Sequence, residues 1–235
     1  MMKAENMASH DDRTATTRPL LQIAIPAALA SLLFASAPAA AHPHVFIGVR
    51  VEVQFDDTGA IRSMNQRWLF DELFSALIAE DIDADGNGQP DDGELGDYLV
   101  EVMRSLRDYG YYTELVSDGA EVPLVLTGDM FATLDGSNLQ ITFTVMPEQT
   151  VALSGGEVTY RVFDPTYYID VLHADADEAI VLSGAPAECT HRVIAPNPDA
   201  AMVDLAASLD QTMSASDTLG AFFAGTVFIA CGPSS

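Results

Sequence analysis

Residues 83–94 read Asp-Ala-Asp-Gly-Asn-Gly-Gln-Pro-Asp-Asp-Gly-Glu, and nothing else in the chain restricts its folding as tightly. A hard cation needs six to eight oxygens converging on one point, and this run gathers them within one loop. Side-chain oxygens fall at loop positions 1, 3, 5, 9 and 12, with a glycine at position 6. That is the spacing with which an EF-hand loop wraps calcium. Asp83, Asp85, Asn87 and Asp91 would give side-chain oxygens, Gln89 its carbonyl, and Glu94 a bidentate carboxylate. Gly88 sits at the sharp turn. A plainer reading, an acidic turn between two helices, stands beside this one.

The flanks are helical in pattern. Phe70, Leu73, Phe74, Leu77 and Ile78 recur at helical spacing before the run, and Leu95, Tyr98, Leu99, Val102, Met103 and Leu106 after it. A rival register from Asp81 puts Gly86 at position 6 but ends on Asp92, which is too short to clamp as Glu94 can. Pro90, at position 8, has no N–H with which to pair to a second loop, and no second loop of this kind occurs. The reading is a single calcium loop that clips a helical insertion at about 71–108.

Around that insertion the patterning is β. Val45, Ile47, Val49, Val51, Val53 and Phe55 alternate with polar residues, as in a half-buried strand, and Ile61 to Phe70 reads as its return. Strands are further expected at 111–116, 122–127, 139–145, 157–163, 168–172, 179–182, 192–194 and 226–231. A short helix is expected at 198–209, with Met202, Leu205 and Leu209 on one face. The expected class is α+β: a mostly antiparallel β domain with an EF-hand-like helix-loop-helix insertion.

The first 41 residues read as a cleavable export signal. Lys3, Arg13 and Arg18 precede an apolar stretch from Leu20 to Phe34, and Ala39-Ala40-Ala41 closes the segment. The stretch is shorter than the roughly 20 apolar residues a bilayer span needs, and Gln22 and Pro26 interrupt it. Residues 42–235 are therefore expected to form one periplasmic domain with no membrane insertion. The formal net charge of −25 belongs to that part, which holds seven arginines and no lysine. Such a field repels nucleic acid and anionic lipid. The two cysteines, Cys189 and Cys231, are expected to form a disulfide in an oxidising compartment.

A second candidate metal site lies at the start of the mature chain, His42-Pro43-His44. Residues two apart in a strand share a face, so both imidazoles could meet one transition metal. Pro43 lacks the amide that a square-planar terminal copper or nickel clamp deprotonates, which leaves a bis-imidazole site suited to zinc, nickel, cobalt or copper. His173, Asp164 and Asp170 are candidate further ligands. A processed terminus with no metal is the competing reading. No Gly-rich phosphate loop, Gly-x-Ser-x-Gly elbow or His-Glu-x-x-His motif occurs, so no catalytic residue is assigned and the chain is read as a non-enzyme.

Four motifs in order carry a family likeness: His-Pro-His-Val-Phe-Ile at 42–47, Trp-Leu-Phe-Asp-Glu-Leu-Phe-Ser at 68–75, the acidic loop at 83–94, and Phe-Asp-Pro-Thr-Tyr-Tyr at 163–168. With these the chain resembles the bacterial domain-of-unknown-function family one-thousand-seven, described as an uncharacterised periplasmic component of ABC-type transport. Members are often encoded beside nickel/cobalt-type transporters. The resemblance implies an accessory protein that handles metal for a metal-transporting membrane protein. Two alternatives remain: a calcium-stabilised structural or adaptor module that handles no transported metal, and a copper-dependent oxidoreductase using the terminal histidine.

Overall fold

Alternation in the first strand sets the architecture. In β1 (Val45–Phe55) every second residue is buried, from Val45 through Phe55, and β2 (Ala60–Phe70) returns antiparallel beside it. The computed structural model describes residues 43–153, 156–174, 179–209 and 218–232. The expected export segment, 1–41, and His42 lie outside them. All described residues belong to one unit spanning 38–235.

After β2 come α1 (Glu72–Ile82), α2 (Asp92–Leu106) and a 3₁₀ turn (Arg107–Tyr112). Then follow β3 (Thr113–Ser117), β4 (Ala120–Glu121), β5 (Leu124–Asp135), β6 (Asn138–Pro147), β7 (Val151–Ala152), β8 (Glu157–Val162), β9 (Ile169–His173), β10 (Ile180–Ser183) and β11 (Cys189–Ile194). Helix α3 (Ala200–Ser208), a 3₁₀ turn (Gly220–Phe222) and β12 (Thr226–Cys231) complete the order. The class is α+β with mostly antiparallel sheets and three α-helices among the described residues.

One sheet runs β10-β1-β2-β6-β5, with β7 added to β2 and β9 to β1; the other runs β11-β12-β8-β3-β4. The exception to antiparallel pairing is at β1. Its far edge takes β9 along Val45–Val49 and β10 along Val51–Gln54, both parallel. The inner faces of both sheets and α2 share one core that includes Val49, Trp68, Leu99, Phe143, Tyr160 and Ile229. A buried polar chain ties the sheets together: the Trp68 Nε1–H donates to Gln66 Oε1 at 2.9 Å, and Gln66 Nε2 donates to Thr113 Oγ1 at 2.6 Å. Gln66 can be fully buried because both ends of its amide are satisfied.

Two sequence expectations change. The helical pattern before the acidic loop has Phe74 and Ile78 packed against the core, but Leu73 and Leu77 face solvent. In α3, Ala206 is buried and Leu205 exposed, while Leu209, just past the helix end, is buried. Spacing alone could not decide which of two neighbouring helical edges meets the sheet.

Candidate metal centre

The acidic loop joins two helices whose ends are fixed by side chains. Asp71 caps α1, its Oδ1 accepting from Phe74 N and its Oδ2 from Phe46 N, each at 2.9 Å, so one carboxylate ties the helix to β1. Ser75 Oγ accepts from Leu139 N at 2.8 Å and anchors α1 to β6. At the other end Asp91 caps α2 in a capping box with Glu94. Asp81 lies in the last turn of α1 and Asp92 is the first residue of α2, with Glu94 two residues further into the same helix.

Within the loop the backbone turns the carboxylates inward. Asp83 Oδ1 accepts from Asn87 N at 3.1 Å and its Oδ2 from Gly88 N at 2.7 Å. Asp85 Oδ1 accepts from Asn87 N, and Asn87 Oδ1 from Gln89 N, both at 3.0 Å. Glu94 reaches back across the loop, with Oε1 accepting from Ala84 N at 2.7 Å and Oε2 from Asp91 N at 2.9 Å. Gly88 adopts a φ of 93°, which side-chain-bearing residues rarely take. Hydrogen bonding to Asn87, side chain first and then backbone, holds the Asp85 carboxyl below its ordinary value.

Asp83, Asp85 and Glu94 each offer an oxygen, and the three lie within 4.8 Å of one another. This is the one such group of three or more His, Cys, Asp or Glu side chains among the described residues. Asp91 is not among the three; its Oδ1 accepts from Gly93 N at 2.8 Å and Glu94 N at 3.0 Å. The donors are hard oxygens, half-buried or exposed, with no imidazole or thiol among them. They fit a hard divalent cation such as calcium rather than zinc or copper.

Among the described residues, His44 and His173 do not come together. His44 N donates to Tyr168 O at 2.9 Å and its ring lies 4.8 Å from that of Tyr168. His173 pairs with Val49, five positions further along the parallel strands and so roughly 16 Å away. Asp164 is engaged in its own turn, accepting from Thr166 N at 2.9 Å and Ile169 N at 3.0 Å. Asp170 pairs with Phe46, and partial burial raises its pKa. His44, His173, Asp164 and Asp170 thus form no common site. Cys189 and Cys231 are bonded and face each other at the end of the β11–β12 ladder.

Sequence reasoning missed the backbone at 110–112. Gly110, Tyr111 and Tyr112 take φ of 60°, 57° and 56°, where the chain was expected to enter a strand. Burial of Tyr111 and stacking of Tyr112 on Trp68 at 5.9 Å hold this costly conformation. Among the described residues no helix is long and apolar enough to cross a membrane.

Fold and site together define an α+β protein of two sheets with an oxygen-lined loop between paired helices. The chain belongs to the family described as "Protein of unknown function (DUF1007)", whose model matches residues 27–231. It is similar to an uncharacterized protein of Haemophilus influenzae, at 25% identity over 202 residues, 85% of this chain and 95% of the relative.

Proposed function

We propose that the protein is an exported, non-enzymatic accessory module of a metal-transport system, and that its helix–loop–helix is an EF-hand-like insertion clipped by one calcium ion. The observation that carries the calcium reading is the convergence of Asp83, Asp85 and Glu94 within 4.8 Å, with Glu94 spanning the loop to Ala84. Three carboxylates held this close repel one another unless a cation sits between them. The transport setting and the partner, a metal-transporting membrane protein in the periplasm, rest on the family resemblance. Asn87, Gln89 and Asp91 would complete the coordination by side chain, carbonyl and bridging water.

A second reading, in which His42 and His44 hold zinc, nickel, cobalt or copper, is favoured by the placement of His44. Its ring is half-buried against Tyr168 at the head of β1. One preparation tests both readings: protein processed to begin at His42, analysed for metal content and titrated with calcium by calorimetry beside Glu94→Gln. The wild type is expected to take up one calcium ion and to gain about 2.7 kcal/mol of stability at a hundredfold excess over Kd. Glu94→Gln is expected to bind at least about tenfold more weakly. Equal isotherms would remove the calcium reading, and a preparation free of transition metal would remove the histidine reading.

A further inference from the structure

Helix α1 buries one of its two apolar edges and leaves the other in water. Phe74, Ser75 and Ile78 turn inward, whereas Leu73 and Leu77 are 73% and 58% exposed. A single exposed leucine is unremarkable, but a pair at i and i+4 is the stripe with which a helix docks. A neighbouring face of α1, through Ala76, Ala79, Glu80 and the capping Asp83, borders a groove of about 350 Å³. Its walls are Ala76 and Ala79 of α1, Leu134 and Gly136 of the β5–β6 hairpin, and Asp83 and Gly88 of the acidic loop. The hairpin is pinned there by Ser137 Oγ, which donates to Glu72 Oε1 at 3.1 Å.

The segment that carries this surface is acidic as far as Glu101, which pairs with Arg104. From Asp71 to Glu101 the chain carries eleven carboxylates and no lysine, arginine or histidine. We infer that this surface docks an amphipathic, positively charged segment of a partner protein. Its apolar side chains sit on Leu73 and Leu77 and in the groove, and its lysines or arginines pair with the carboxylates of this segment. Charge complementarity selects this occupant. An anionic lipid surface or a nucleic acid is repelled by so acidic a segment, and a second copy of this chain would set like charge against like. The inference deepens the accessory reading by giving the partner's chemistry. It stands whether or not the loop holds calcium.

The test is fluorescence anisotropy with a labelled synthetic Leu/Lys amphipathic helical peptide at physiological ionic strength, in calcium and in chelator. A Leu/Glu peptide of the same pattern serves as control. The comparison is wild type against Leu73→Ser/Leu77→Ser, which preserves every charge. Both side chains are exposed, so the variant is expected to keep its fold, which circular dichroism checks. The expected result is binding of the Leu/Lys peptide alone, weakened roughly tenfold or more in the variant. Equal binding by the two proteins, binding of the Leu/Glu peptide, or no binding would overturn the inference. A loop that takes up no calcium beside leucine-dependent peptide binding would sink the calcium reading and leave this surface in place. Calcium uptake without peptide binding would do the reverse.

Discussion

His173 lies on β9 with its ring 5.9 Å from that of Tyr160 on the facing sheet. The His173 Nε2 and the Tyr160 hydroxyl are both buried, with no hydrogen-bond partner among the described residues. Burial penalises the charged imidazole and holds its pKa at about 4, against an ordinary 6.5. Between those two values the unfolded chain takes up a proton that the folded protein refuses. Stability is therefore full above pH 6.5 and falls as pH drops toward 4, by roughly 3 kcal/mol across the window. Urea unfolding at a series of pH values should show this loss, and His173→Phe should flatten it. A variant as pH-sensitive as the wild type would refute the assignment. A second residue is constrained by space: a Cβ at Gly220 would lie 1.8 Å from the Asp164 carbonyl oxygen, so only glycine lets the two turns touch.

Helix α2 separates two uses of the acidic loop. Asp91 caps the helix whether or not a cation is present, whereas Glu94 serves both cap and carboxylate trio. Asp91→Ala is expected to cost about 1 kcal/mol in chelator through the lost cap and only a little more in calcium, whereas Glu94→Gln should show the larger calcium-dependent loss. Chemical denaturation in both conditions checks the difference, and an Asp91→Ala effect confined to calcium would reverse the assignment. The two helices flanking the loop were legible in the residues, because their apolar spacing is set locally. The alternation of β1 and the bounds of β12 could be read in the same way. Strand β5 could not: the expected strand at 122–127 continues to Asp135 through an irregularity between Thr127 and Phe131, where Gly128 has a φ of 68° and resets the alternation. Nor could the separation of His44 from His173 be read, since it follows from parallel pairing between segments far apart in sequence.

At the scale of the molecule, the disulfide closes the last hairpin over a separation of 42 residues. Joining these positions stabilises by up to about 4 kcal/mol in the chain-entropy model. Cys189→Ala/Cys231→Ala is expected to lose that much in equilibrium unfolding, and the wild type should lose it on full reduction. No change on reduction would show that the β11–β12 ladder closes the loop unaided. The placement of β1 has a different outcome. Its antiparallel neighbour follows at once, but Val45 meets Ile169 and Val51 meets Ile180 only after most of the chain has been made. A polypeptide emerging amino end first therefore exposes one flank of its leading ribbon until those late segments arrive. The first described strand thus waits for some of the last described strands to complete its sheet, a pairing of high sequence separation and hence slow to close.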